Sequence, residues 1–160
     1  MNSRTIPRTL TLLASPRVPA RPRTPGRRTA TLLSRLAGAA LLIWIGYIHL
    51  HLWQEGYRFI PTNGPFFLLD AIVAVAFAVV LLVWPRPLVG ALSAAFTAST
   101  IGALLISLTV GLFGFHESIT ASFVVLSLVI EALAVLILAT WTALASRSQL
   151  AAAAPGDSEH

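Results

Sequence analysis

Four long runs of apolar residues, separated by short polar connections, organise the chain. They cover residues 35–53, 66–84, 88–113 and 119–145, and each reaches the roughly 20 residues a helix needs to cross the hydrocarbon core of a bilayer. A helix is also the form in which a lipid-exposed segment satisfies its own backbone polar groups. The connections 54–65, 85–87 and 114–118 are short, which makes successive helices antiparallel neighbours. Pro85-Arg86-Pro87 ends one helix, and Asn63-Gly64-Pro65 turns the chain into the next. The expected fold class is all-α: an integral membrane four-helix bundle over 35–145, with disordered cytoplasmic tails at 1–34 and 146–160.

Composition supports this pattern. Of 160 residues, 56% are hydrophobic and 11% charged, with a mean hydropathy of +0.81, well outside the range of an ordinary soluble domain. The first tail is rich in arginine and carries Pro7, Pro16, Pro19, Pro22 and Pro25, which interrupt any long helix. Arg4, Arg8, Arg17, Arg21, Arg23, Arg27, Arg28, Arg35, Arg86 and Arg147 fall on one side of the spans, and Arg58 alone on the other. By the positive-inside rule both termini are expected in the cytoplasm, making this a multi-pass protein of the cytoplasmic membrane. An arginine-rich tail beside an apolar span points to anionic lipid as its partner, and not to nucleic acid. Trp53, Tyr57, Phe66 and Phe67 at the outer ends, and Trp84 and Trp141 at the inner ends, are placed as interfacial belts would be, while Trp44 lies mid-span. The absence of cysteine excludes disulfides, thiolate metal sites and Cys nucleophiles.

The third span repeats small residues every four positions, at Ala91, Ala95, Ser99, Ala103, Ser107 and Gly111. That stripe is expected to be a helix-packing face, within the chain or in a homodimer, because small side chains let backbones approach closely where apolar burial no longer drives association. No internal repeat is visible, so an inverted-repeat transporter is not indicated.

The most expensive residue is Glu131, near the middle of the fourth span, where a charged side chain costs about 2.5–3.5 kcal/mol on insertion scales. Glu117, Thr120, Val124, Ser127 and Glu131 follow helical steps of three and four, a polar line from the outer surface to the core. With Asp70, one turn inside the second span, they form a candidate proton or ion pathway. His49, His51, Glu55 and His116 gather at the same outer end and are candidate metal ligands. On a helix, however, Trp44, Tyr47, His51 and Glu55 share one stripe, and His49 lies on another, so both imidazoles reach one ion only if the helix end unwinds. A bis-His haem would draw on the same three histidines. No cofactor is expected, and no hydrolase triad, phosphate loop or other catalytic motif is present.

The string from His49 to Pro61 (His-Leu-His-Leu-Trp-Gln-Glu-Gly-Tyr-Arg-Phe-Ile-Pro), followed by Gly64-Pro65-Phe-Phe-Leu-Leu-Asp70, resembles uncharacterised small four-span integral membrane proteins of GC-rich actinobacteria. The segment Gly111-Leu-Phe-Gly-Phe-His-Glu117 is similar to a second stretch of that group. The likeness covers residues 35–145 and implies a membrane location without a chemistry; a looser likeness in span count is to DoxX-like proteins. The function expected from sequence is a structural or interaction module without catalytic activity. The alternative is a proton- or metal-linked transport or redox accessory that uses the outer His/carboxylate cluster and Glu131.

Overall fold

In the computed structural model, which describes residues 25–153, four α-helices follow one another: α1 (Pro25–Glu55), α2 (Asn63–Val83), α3 (Pro87–Thr109) and α4 (Val124–Ala153). A single 3-10 turn, Tyr57–Phe59, joins α1 to α2. The fold is all-α, and each helix is long and apolar enough to cross a membrane. The one β feature among the described residues is an isolated bridge between Leu112 and Phe115.

Helix limits depart from the apolar spans where backbone chemistry overrides hydropathy. α1 begins at Pro25, so residues 25–34, expected to be irregular, are helical. Proline is well tolerated in a first helical turn, and no other proline follows until Pro61. The rest of the expected N-terminal tail, and the end of the C-terminal one, lie outside the described residues; 146–153 continue α4. α3 ends at Thr109 and not at 113, because Gly111 takes φ +84° and the N–H groups of Val110 and Gly111 both donate to the Ile106 carbonyl. α4 starts at Val124 and not at 119, after a turn that ends in Phe123 at φ +69°.

α1 lies centrally, packed along α2 on one side and α4 on the other; α4 packs against α3, while α2 and α3 barely touch. Three seams are therefore tight and the fourth is slack. The tight region is the half of the bundle nearer the termini, where Leu42 and Ile45 of α1, Ala74, Ala78 and Leu81 of α2, and Ala134, Leu138 and Trp141 of α4 form the core. Missing side chains make two of the seams possible. A Cβ at Gly46 would stand 2.9 Å from Val75 Cγ2 and 3.1 Å from the Ala71 carbonyl oxygen, and one at Gly90 would collide with Trp141 and Thr142.

Two sequence expectations are corrected here. In the small-residue stripe of α3, Ala91, Ala95 and Ser99 are exposed and only Ser107 is buried, so the stripe is not the seam within the chain; the face packed there is Gly90, Ser93, Thr97, Thr100 and Ser107. Hydroxyls can line this face because Ser93, Thr97 and Thr100 each donate to a carbonyl three or four residues back, leaving their carbons to the neighbouring helix. Trp141 belongs to the core at 1% exposure and not to an interfacial belt, whereas Trp84 is exposed and stacks under the Arg86 guanidinium, 4.4 Å from its ring centre.

Candidate functional site

The slack seam opens into a cavity of about 330 Å³ in the half of the bundle away from the termini. All four helices and both loops at that end contribute to it. Its floor is polar and ionisable: His49 from α1, Asp70 from α2, Ser99 and Thr100 from α3, and Ser127 and Glu131 from α4. Its upper wall is aromatic, made by Tyr57, Phe66, Phe67, Phe113, Phe115 and Phe123.

His49 organises the floor. Its Nδ1 lies 2.9 Å from the Ile45 carbonyl oxygen one turn back, and since a carbonyl can only accept, Nδ1 carries the hydrogen. Nε2 is thereby the nitrogen turned to the carboxylates, with Asp70 Oδ2 at 3.9 Å and Glu131 Oε1 at 4.0 Å. Both gaps exceed a direct hydrogen bond and leave room for a bridging group. Glu131 is 2% exposed, and its Oε2 is a buried acceptor without a partner. Three ionisable groups from three helices thus converge on one point, and Phe67 from α2 packs against the His49 ring, with centroids 5.5 Å apart.

The cavity is roofed by the α3–α4 loop. Leu112 and Phe115 exchange both backbone hydrogen bonds, at 2.8 and 2.9 Å, across a two-residue turn. Phe113 and Gly114 both take positive φ, 52° and 80°, as a turn matching the strand twist requires. The turn aims Phe113 at Phe66 of α2, stacked at 5.7 Å, and Phe115 edge-on at Tyr57, at 5.9 Å. Tyr57 donates a 2.6 Å hydrogen bond to Glu117 Oε2, while the Ser118 N–H donates to Oε1 at 2.9 Å. Burial, reinforced by this hydrogen bond and by the Glu117 charge, raises the Tyr57 phenol well above its usual pKa.

The expected polar line is kept only in part. Val124, Ser127 and Glu131 face the cavity on α4 and Asp70 faces it on α2; Glu117 arrives from the loop, and Thr120 instead pairs with Ser118 at the surface. The four candidate metal ligands point to separate places. His49 enters the floor, whereas His51 stacks on Tyr47 at 5.8 Å with Phe123 at its edge. Glu55 is exposed at the end of α1, and His116 lies over Gly111. Among the described residues no group of three or more His, Asp or Glu side chains is placed to hold a metal ion. Sequence reasoning missed Thr100, Asn63 and the inward role of Tyr57. Thr100 had a signal, since Ser93, Thr97, Thr100 and Ser107 follow steps of four, three and seven, a hydroxyl stripe masked by the more regular alanines beside it. Compared with known proteins, the chain matches no family model, no curated protein and no solved structure.

Proposed function

We propose that this chain is a multi-pass protein of the cytoplasmic membrane that binds a small lipophilic cation in the cavity, in exchange for a proton held among His49, Asp70 and Glu131. The observation that carries the reading is the convergence of one imidazole and two carboxylates on the floor of an otherwise aromatic cavity. Glu117 adds a third carboxylate at the mouth, and no arginine lines the cavity, so its charge favours a cation. Phe and Tyr faces above the floor suit a cation with an apolar body, such as a tertiary amine carrying an aromatic ring. The volume lies at the small end of ordinary ligand sites, which limits the guest to a compact molecule.

A purely structural bundle is the competing account, and the unpartnered Glu131 oxygen argues against it. Packing alone is served as well or better by an apolar side chain, because a buried ionisable group without full pairing costs stability. The orientation with both termini inside is supported by the arginines at the terminal end of the bundle, Arg27, Arg28, Arg35, Arg86 and Arg147, against Arg58 at the far end. Kinship with the small four-span actinobacterial proteins remains part of this proposal on the motifs quoted above.

The test uses purified full-length protein in weakly buffered detergent, titrated with a compact aromatic tertiary amine and with its neutral carbon isostere. The amine is expected to release about one proton per molecule bound, with affinity rising as pH rises, since protons compete for the same carboxylates. Glu131→Gln and Asp70→Asn should each abolish the release. Equal binding of amine and isostere, or binding without proton release, would refute the exchange. Glu131→Leu separates the structural account: a gain of about 1–3 kcal/mol in thermal unfolding with loss of amine binding fits a site maintained at the expense of stability. A loss of that size with binding intact fits packing glue.

A further inference from the structure

A second recess lies at the opposite, terminal end of the bundle, between α1 and α4 and independent of the cavity above. Its volume is about 400 Å³, and Arg27, Arg28 and Arg35 of α1 line it together with Trp141, Ser148 and Gln149 of α4. No acidic side chain lines it, and among the described residues none of the three guanidinium groups forms an ion pair. Arg28 and Arg35 stand seven residues apart, two helical turns or roughly 10 Å along one face of α1. The recess is therefore a sloping basic wall, with Arg27 and Arg28 exposed at its rim and Arg35 deeper.

Two buried donors at this wall lack acceptors: the Nε of Arg35 and the indole Nε1 of Trp141. Trp141 is 1% exposed, and its Cε3–Cζ3 edge lies against Gly90 of α3, so its N–H edge is turned away from α3, to the side where the recess lies. Unpaired buried donors are rare because each forfeits its hydration without recompense. Here both belong to a pocket that has donors, positive charge and no carboxylate of its own to neutralise them, and the neutral oxygens of Thr31, Ser148 and Gln149 in its lining leave both donors unpaired.

We infer that this recess binds a phosphate group, with Arg35 and Trp141 donating from its depth and Arg27 and Arg28 closing over it at the rim. Guanidinium forks match phosphate oxygens in pairs, and the α1 N-terminus beside the rim adds its own positive end. Phosphate carried on an anionic lipid headgroup fits the setting best. The recess lies at the end of helices long enough to span a bilayer, and the exposed side chains of Leu32 and Leu36 continue from it along α1 as a track for an acyl chain.

The experiment is native mass spectrometry of the detergent-purified full-length protein with short-chain phosphatidylglycerol, with diacylglycerol of the same chains, and with inorganic phosphate. Phosphatidylglycerol is expected to occupy one saturable site that diacylglycerol does not. Arg35→Gln should weaken it about tenfold, as loss of one charge-assisted hydrogen bond would. Trp141→Phe, which keeps an aromatic ring in the core and removes the indole N–H together with the five-membered ring that carries it, should weaken it several-fold. The double variant Arg27→Gln/Arg28→Gln changes only exposed side chains and should also weaken binding, while Arg58→Gln at the far end should not. Phosphatidylglycerol binding unchanged by the double variant and by Trp141→Phe would overturn the assignment, as would equal retention of diacylglycerol. Inorganic phosphate binding as tightly as the lipid would keep the phosphate site and identify its occupant as a soluble phosphate.

Discussion

The contact between Tyr57 and Glu117 is the smallest unit that holds the cavity roof. It joins the short turn after α1 to the α3–α4 loop, sixty residues further on, through one 2.6 Å hydrogen bond. Because the phenol is raised above its ordinary value of about 10, the folded chain keeps a proton that the unfolded chain has already lost at alkaline pH. The stabilisation that comes from burying the neutral phenol, with the bond to Glu117 adding to it, is therefore complete below about pH 10 and declines as pH rises above it. The chain has two tyrosines, so a Tyr47→Phe background isolates the signal. Phenolate absorbance of folded protein should emerge at higher pH than in denatured protein, and Glu117→Gln should bring the two titrations closer together. Coincident titrations in the parent would mean that the roof is not held by this pair. At the same scale, the Nδ1–H of His49 is committed to the Ile45 carbonyl, so any proton exchanged with a guest passes through Nε2 or the carboxylates.

Seams between elements depend on the places where a side chain is absent. Gly90 lets α3 seat against the Cε3–Cζ3 edge of Trp141, and no rotamer of Trp141 relieves the added carbon without moving a ring that is fully buried. Gly90→Ala is expected to cost about 1–3 kcal/mol, the range for overpacking a close contact. Gly102→Ala, in the same helix, meets nothing within 4 Å and should be neutral or stabilising. Thermal unfolding in detergent reads both, and equal effects would show that α3 does not pack on α4 through Gly90. The same helix shows what the sequence could convey. Its existence and approximate span were legible from hydropathy, because any lipid-exposed face must be apolar. Which face packs inward was not, because in an apolar helix both faces look alike by hydropathy, and the alanine stripe that seemed the better seam is exposed at Ala91 and Ala95 and only borders the cavity at Ser99, Ala103 and Ser107. Hydroxyls that bond to their own helix took the inner face instead. Glu131 could be recognised from its cost alone; its pairing with His49 and Asp70 depended on which of two neighbouring histidine stripes faced the core. The roof was not legible, since hydropathy ends the third span at Phe113 and begins the connection at Gly114, dividing the two residues whose positive φ angles make the turn.

The whole molecule is asymmetric about its midplane: one half is packed on Leu42, Leu138 and Trp141, and the other is held open over His49, Asp70 and Glu131. Among the described residues of the packed core none is ionisable, so no proton path continues from Glu131 toward the terminal end. A side entrance would lie at the slack α2–α3 seam, which is bridged by two aromatic pairs, Phe66–Phe113 near the roof and Phe77–Phe96 deeper down. Both members of the upper pair are exposed, at 46% and 63%, as expected of a hatch facing the surroundings and not of a core contact. A lipophilic cation would then enter from the bilayer between these two rings, without passing through the aqueous loops. Because the chain contains no cysteine, Phe66→Cys/Phe113→Cys introduces the only two thiols, and a short bifunctional thiol reagent can tie the hatch shut. Cross-linking is expected to slow both binding and release of the aromatic amine at least tenfold while leaving the equilibrium affinity within about threefold, since the floor is untouched. Unchanged rates in the tied protein would place the entrance at the roof instead, between Tyr57 and Phe115, where loosening by Glu117→Gln should then accelerate exchange.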